Sequence, residues 1–351
     1  MSDIFLPIAE VSISIPYLII VSLFAGFFSG LLGIGGGWII TPILIFLGIP
    51  PAFAVANGAN NVLAASVSGS LSHWFKGQLD IKMGFLISLG GIAGSFIGIF
   101  IFKFFFSLGI VNNIIYIMYC IFLSSIGIVM LIESLIEIKR INQNRFIRRK
   151  LHNHYWVHNL PFKLRIHKSR LYISAIPPVF FGVIIGILSS ILGVGGGFLL
   201  VPIMIYIIGM PAKLVPGTSL FVMVFVMIFV VILHAINNFP VDIYLAIILV
   251  VGSVIGAQIG TQVGMKLRSE QLRATMSILV LVFGFKFGYD LFFKKNLNLI
   301  NKIVEKNLLD HSLANFILNL SQNFPVTYSI STMFVCVIFA AGSAYVFKKF
   351  I

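Results

Sequence analysis

The chain contains the stretch Gly33-Ile34-Gly35-Gly36-Gly37, followed by Pro42, and repeats it as Gly193-Val194-Gly195-Gly196-Gly197, followed by Pro202. Glycine destabilises a helix by about 1 kcal/mol per position relative to alanine, so each stretch predicts a break in a helix. Each break lies in an apolar segment longer than one membrane crossing, near 16–48 and 172–208. Within a bilayer, an opened backbone is stable only where it is packed in protein or lines a polar cavity. A pair of breaks in corresponding halves is typical of the substrate site of a transporter.

The composition of the chain is that of a membrane protein. Its 351 residues are 59% hydrophobic and 10% charged, with a mean hydropathy of +1.07. In a soluble protein the net charge of +14 would indicate nucleic-acid binding. Here it indicates basic cytoplasmic loops, so we expect membrane lipids and no nucleic acid as partners. Apolar runs of the length that crosses a ~30 Å hydrocarbon core recur near 54–74, 83–105, 113–136, 216–236, 243–265, 274–293 and 326–347.

The two halves of the chain align over more than 70 residues after two one-residue insertions. Aligned pairs include Gly26 and Gly186, Gly48 and Gly209, Pro50 and Pro211, His73 and His234, and Asp80 and Asp242. If each broken segment enters and leaves the membrane on one side, the halves are inverted, and more Lys and Arg then lie on one side than in parallel halves. The predicted fold is an all-α polytopic membrane protein of two inverted repeats. Each repeat is a glycine-broken helical hairpin plus three transmembrane helices, and one extra helix follows at the C-terminus.

The predicted boundaries separate the repeats by a basic loop. The first transmembrane repeat covers 1–136, the loop 137–171, the second repeat 172–293, and a polar connector with the C-terminal helix 294–351. Residues 139–170 hold ten Lys or Arg, four His and no acidic residue. Since no Cys or carboxylate joins these histidines, a solvated loop is favoured over a metal site. We place this loop in the cytoplasm and the N-terminus outside a cell inner membrane.

The glycine breaks are the first candidate site. The amides that restart a helix after Gly37 or Gly197 have no partner within that helix, and the helix dipole adds a partial positive charge. Two such termini that converge at mid-membrane would bind an anion without a buried arginine. The alternative is that the glycines only allow two helices to pack closely. The candidate binding residues are Gly33, Gly35, Gly36, Gly37, Gly193, Gly195, Gly196 and Gly197.

The start of the next span in each half is the second candidate. Pro216-Gly217-Thr218-Ser219 reads as the start of a helix, with hydroxyls that either cap it or donate to an oxyanion. The aligned segment of the first half contains Asn57, Asn60 and Asn61, whose amides need partners in an apolar helix. Substrate binding and simple capping or helix–helix hydrogen bonding are both compatible with these residues.

Two histidines and two glycine ladders complete the candidates. His73 and His234 occupy aligned positions near helix ends, where a hydrated place in the head-group region is favoured over proton coupling. Glycines at every fourth position, from Gly90 and from Gly252, indicate helix packing. No nucleophile–base constellation, phosphate-binding loop or zinc motif occurs, so neither an enzyme nor a cofactor is expected.

The doubled Gly-x-Gly-Gly-Gly motif with its following proline, and the Gly217-Thr218-Ser219 stretch, resemble the TauE/SafE sulfite exporter family over about residues 15–293. The resemblance implies an inner-membrane carrier, coupled to protons, for sulfite, sulfoacetate or related sulfur-containing or organic anions. It also implies functional roles for the eight motif glycines and for Gly217, Thr218 and Ser219. The first repeat has no Gly-Thr-Ser in the aligned region, where Asn57-Gly58-Ala59 occurs instead.

The leading hypothesis is therefore secondary active transport of a small anion by alternating access. A passive anion channel and a membrane-embedded assembly factor for sulfur or metal-centre maturation are the alternatives. The assembly factor would need clustered His, Cys or carboxylates, which the sequence does not display. Oligomeric state, including a homo-oligomer, is left open.

Overall fold

The computed structural model describes residues 3–6, 11–142, 161–169, 171–211, 213–239, 241–264, 277 and 280–287. Within them, the helices are α1 Ile15–Leu32, α2 Gly37–Phe46, α3 Pro51–Phe75, α4 Ile81–Ser107, α5 Val111–Asn142, α6 Ile176–Leu192, α7 Gly197–Pro202, α8 Val215–Ile236 and α9 Ile243–Val263. A π-helical turn, Ile203–Ile207, continues α7, and residues 280–287 are helical. Of these helices, α1, α4, α8 and α9 are long and apolar enough to cross a membrane.

Both predicted breaks are present, and both begin in the same way. Helices α1 and α6 end at Gly33 and Gly193, which adopt left-handed φ values of 70° and 66°. The amides of these glycines donate to the carbonyls of Ser29 and Ser189, at 2.9 and 2.8 Å. This is the usual glycine-capped end of a helix, which other residues adopt only with strain.

The helices of the two halves pair reciprocally. Helix α1 packs along α9, and its counterpart α6 packs along α4, the counterpart of α9. Helix α3 packs against α8, which is its own counterpart in the second half. Every major interface between the halves is therefore either duplicated or formed by two equivalent elements.

The glycine ladders form the α1–α9 and α4–α6 interfaces, as the sequence predicts. A β-carbon at Gly256 would overlap the Leu23 carbonyl of α1, and one at Gly94 would overlap the Val183 carbonyl of α6. Such close approach of two backbones is possible only at residues without a side chain. Other glycines that face a backbone carbonyl of the partner helix are Gly26, Gly30, Gly90, Gly98, Gly182, Gly186, Gly252 and Gly260.

Helices α3 and α8 run antiparallel. A β-carbon at Gly217, near the start of α8, would lie 2.7 Å from the β-carbon of His73, near the end of α3. Closer to the middle of both helices, the Ser66 hydroxyl lies 3.8 Å from the Met223 sulfur. The end of one helix thus faces the start of the other.

Two short β-hairpins depart from the all-α prediction. Strand β1 (Asp3–Leu6) pairs with β2 (Val11–Ser14), and β3 (Lys163–Ile166) pairs with β4 (Leu171–Ser174), both antiparallel. The second hairpin begins in the predicted basic loop and extends into the predicted second repeat. The basic residues of β3 alternate with apolar ones, a pattern that is typical of a strand. Helix α5 also continues to Asn142, past the predicted start of that loop.

The second hairpin is joined to the helical bundle by a buried carboxylate. Asp80 caps α4 by accepting from the Met83 amide, at 3.3 Å. It also accepts from the amide and the hydroxyl of Ser169, at 3.0 and 2.5 Å. The predicted connector and C-terminal span, 294–351, lie outside the described residues.

Candidate functional site

The two breaks meet each other inside the bundle. A β-carbon at Gly37 would lie 2.8 Å from the Gly193 carbonyl oxygen and 2.8 Å from the α-carbon of Val194. In the reciprocal contact, a β-carbon at Gly197 would overlap the backbone of Ile34. All residues of both breaks are buried. The structure therefore brings the eight candidate glycines into one place.

Several amides at this meeting point donate no hydrogen bond to the backbone of the described residues. Within the described part of the chain, the amides of Gly35, Gly36, Gly195 and Gly196 donate no backbone hydrogen bond. A buried amide without an acceptor costs about 1–3 kcal/mol, so such groups are normally paired with protein, water or a ligand. The meeting point thus offers hydrogen-bond donors from both halves.

Hydroxyls of neighbouring helices bind carbonyls at the ends of α1 and α6. The Ser219 hydroxyl donates to the Gly33 carbonyl at 2.6 Å, so its oxyanion role remains a prediction. The Tyr119 hydroxyl of α5 donates to the Leu192 carbonyl, also at 2.6 Å. Sequence analysis missed Tyr119, because a single tyrosine in an apolar span has no local signal of its partner.

Asn57 and Thr218 occupy aligned positions and have the same partners in opposite halves. The Asn57 side chain donates to the Phe53 carbonyl at 2.9 Å and accepts from the Asp242 amide at 3.0 Å. The Thr218 hydroxyl donates to the carbonyl four residues before it, at 2.7 Å, and accepts from the Asp80 amide at 3.0 Å. Each side chain therefore links the start of its helix to the aspartate-capped helix of the other half. These contacts match the alternative of helix–helix hydrogen bonding, since neither residue caps its own helix. Ligand binding by either residue remains a prediction.

The remaining predicted polar residues are also buried. The side chains of Asn60 and Asn61 are fully buried, and neither amide atom of Asn61 has a hydrogen-bond partner within the described chain. Gly217 packs closely against the Gln78 carbonyl and His73, which accounts for glycine at this position. Whether these residues contact a substrate remains a prediction.

The expectation that the histidines lie hydrated at helix ends is wrong. His73 is 5% exposed and His234 is 0% exposed. The Nε2 atom of His73 lies 3.3 Å from the Gly30 carbonyl. The Nε2 atom of His234 lies 2.8 Å from the carbonyl of Ser190, the residue that aligns with Gly30. Each histidine thus binds the helix that leads into the break of its own half. Both imidazole rings are stable inside the bundle because a backbone carbonyl pairs with one nitrogen of each ring.

A polar contact zone between α3 and α9 was also missed by sequence analysis. The Gln258 amide donates to the Ser68 hydroxyl at 2.7 Å, and the Ser72 and Thr261 hydroxyls lie 2.8 Å apart. The aligned positions of the α8–α4 interface hold a phenylalanine pair, Phe96 and Phe229, with ring centroids 6.0 Å apart. The two equivalent interfaces therefore differ in polarity. In the described residues, no group of three His, Cys, Asp or Glu could hold a metal ion.

The chain is similar to known proteins over most of its helical part. The model of the family described as sulfite exporter TauE/SafE matches residues 18–287, which include both breaks. No solved structure matches the chain significantly.

Bacterial relatives have names of the same kind. The probable membrane transporter protein YjnA of Bacillus subtilis (strain 168) is 28% identical over 203 residues, which cover 58% of this chain and 72% of the relative. YunE of the same organism, also described as a probable membrane transporter protein, is 25% identical over 215 residues, which cover 59% of this chain and 72% of the relative. A probable membrane transporter protein of Xylella fastidiosa (strain 9a5c) is 26% identical over 202 residues, which cover 56% of this chain and 65% of the relative. With its membrane-spanning helices, its paired breaks and the match over residues 18–287, the chain is an integral membrane protein that belongs to the sulfite exporter TauE/SafE family of membrane transporters.

Proposed function

We propose that this protein is a secondary active transporter of small sulfur-containing or organic anions, such as sulfite or sulfoacetate. It moves them across the cell inner membrane by alternating access, coupled to protons. The observation that supports this function most is the contact between the two breaks, Gly37 with Gly193 and Gly197 with Ile34. Two opened helices from different halves of a transporter meet where a substrate binds.

The charge of the substrate follows from the chemistry of the breaks. The uncommitted backbone groups of the breaks include amide donors, among them those of Gly35, Gly36, Gly195 and Gly196 in the described part of the chain. Donors at helix starts favour an anion, and a buried site strengthens each such hydrogen bond. A small oxyanion such as sulfite has several acceptor oxygens, so it can accept hydrogen bonds from the amides of both breaks at once.

Alternating access follows from inverted repeats. The antiparallel crossing of α3 and α8 supports inversion, because a two-fold axis in the membrane plane makes equivalent spanning helices antiparallel. Parallel repeats would instead make them parallel. The reciprocal α1–α9 and α4–α6 interfaces then open on opposite sides of one fixed site. In this arrangement the N-terminus lies outside and the 137–171 loop lies in the cytoplasm.

Proton coupling is assigned to His73 and His234. A carbonyl only accepts hydrogen bonds, so each Nε2 atom carries a proton in the observed contact. Nδ1 of His73 lies 3.2 Å from the side-chain oxygen of Gln78, which accepts from it once it is protonated, whereas Nδ1 of His234 has no partner among the described residues. Protonation of Nδ1 adds a positive charge beside the helix that leads into a break. That charge favours an anion at the break, which links proton binding to substrate binding.

Transport in liposomes tests the proposed function. Purified protein should exchange sulfite or sulfoacetate across the vesicle membrane, and an imposed pH gradient should drive uphill accumulation. Transport that a pH gradient never drives uphill would instead indicate a passive channel. Failure of every anion in a broad panel to move or to stabilise the protein would contradict the proposal.

A further inference from the structure

We propose that Val62 and Met223 form the gate that sets which anions reach the amides of the two breaks. This inference rests on the proposed anion transport and deepens it. The two residues lie on α3 and α8 at aligned positions, offset by the same 161 residues that separate His73 from His234. Both side chains are completely buried.

Each of the two side chains contacts both breaks. A β-carbon at Gly35 would lie 2.7 Å from the Met223 sulfur and 3.3 Å from a Val62 methyl group. A β-carbon at Gly195 would lie 2.9 Å from the same Val62 methyl and 3.3 Å from the Met223 sulfur. The pair therefore fills the space between two glycines whose amides have no backbone acceptor.

An anion that approaches these amides from the side of α3 and α8 must first displace the two side chains. Valine is branched at the β-carbon and is held to one rotamer in a helix. Methionine has three rotatable side-chain bonds and adapts its shape readily. Outside the breaks, the Met223 sulfur has a single polar contact among the described residues, with the Ser66 hydroxyl at 3.8 Å. Met223 is therefore the mobile half of the gate, and Val62 is the fixed half.

The gate predicts selection by size. The oxyanion end of a substrate binds the amides, while the rest of the molecule occupies the space that Met223 leaves. Shortening Met223 should thus admit anions with a larger organic part. Because one methylene in an apolar pocket changes selectivity about 10- to 200-fold, the loss of most of the methionine side chain should be readily measurable.

The test compares sulfite and sulfoacetate fluxes into proteoliposomes for wild type, Met223→Ala and Met223→Leu. Met227→Ala, which truncates a buried methionine one turn further along α8, is the matched control. We expect Met223→Ala to raise the sulfoacetate-to-sulfite flux ratio about tenfold or more. Met223→Leu and Met227→Ala should leave the ratio within about twofold of wild type. An unchanged ratio in Met223→Ala, with wild-type flux present, would overturn the gate. If the wild type moves neither anion, it is the proposed function that fails.

A labelling experiment tests the gate without measuring transport. Met223→Cys is made in a Cys120→Ser, Cys336→Ser background and treated with a small methanethiosulfonate reagent. Bound sulfoacetate, which unlike sulfite does not react with the thiosulfonate reagent, should slow the labelling at least severalfold, because anion and reagent compete for one space. Met227→Cys is the control and should show no such protection. Equal labelling of Met223→Cys with and without anion would contradict the gate, and this readout also applies if a Met223→Ala protein fails to fold.

Discussion

The Ser219 hydroxyl of α8 donates a 2.6 Å hydrogen bond to the carbonyl of Gly33, the residue that ends α1. The residue of the first half that aligns with Ser219 is Gly58, which has no side-chain hydroxyl to donate a hydrogen bond. There the Thr41 hydroxyl of α2 occupies the space, so that a β-carbon at Gly58 would overlap it. The two halves thus place a hydroxyl in equivalent space from different helices.

Replacement of Ser219 by alanine removes the donor to a buried carbonyl. We expect Ser219→Ala to lower the free energy of unfolding by about 1–3 kcal/mol, the cost of an unsatisfied buried polar group. The thermal melting of the detergent-purified protein measures this change. Ser125→Ala, at an exposed serine that bonds only its own helix, should change stability by no more than about 0.5 kcal/mol. Equal effects of the two substitutions would argue against a structural role of the Ser219 bond.

Gly36 and Gly196 are aligned, yet alanine should affect them differently. Gly36 has a right-handed φ of −74°, and a β-carbon there would lie 3.1 Å from the Ala25 carbonyl. Gly196 has a left-handed φ of +63°, and its β-carbon would lie 2.6 Å from a methyl group of Ile185. A left-handed alanine costs about 1–2 kcal/mol before any steric overlap. Gly196→Ala should therefore melt at a clearly lower temperature than Gly36→Ala, and the reverse order would contradict the geometry of the second break.

The breaks and the helix-packing ladders could be predicted from sequence, because glycine has a direct effect on the backbone. The four glycines in Gly33–Gly37 each destabilise a continuous helix, so residue type alone predicts a break there. Spacing by four residues places Gly90, Gly94 and Gly98 on one helix face without knowledge of the partner. These signals are local, and the duplication of the chain doubled them.

The shared roles of Asn57 with Thr218, and of Val62 with Met223, could not be predicted in the same way. Asn57 accepts from the Asp242 amide, and Thr218 accepts from the Asp80 amide. The two bonds are equivalent only because each half places an aspartate-capped helix next to the other half. Val62 and Met223 are ordinary apolar residues of a membrane helix, and only the contact between the breaks gives them a role. Such information resides in the tertiary packing, not in residue type.

Thr218 should stabilise the contact between the halves. Thr218→Val keeps the shape of the side chain but loses its bonds to the Leu214 carbonyl and the Asp80 amide. We expect a loss of about 1–3 kcal/mol in the free energy of unfolding. Thr218→Ser retains the hydroxyl and should lose less than about half as much in thermal melting. A Thr218→Val protein as stable as wild type would show that these bonds add nothing.

Glutamine at position 234 should separate proton coupling from folding. Its amide can still donate to the Ser190 carbonyl, as His234 does at 2.8 Å, but it does not titrate. If His234 couples protons, His234→Gln protein should exchange sulfite between equal pH values and lose accumulation driven by a pH gradient. Retention of uphill accumulation would exclude His234 as the coupling group. The same comparison applies to His73→Gln, whose Gly30 contact is the equivalent one.

Hydrogen–deuterium exchange in the presence of a transported anion tests the shared amide site most directly. Peptides that cover 31–47 and 191–207 contain the two breaks, and their amide exchange is followed while sulfite, or the anion that moves fastest in the panel, is added. We predict that both peptides become protected together and at the same anion concentration, since one bound anion accepts hydrogen bonds from both halves. Protection of neither peptide, or of only one, would contradict a site built from the two breaks.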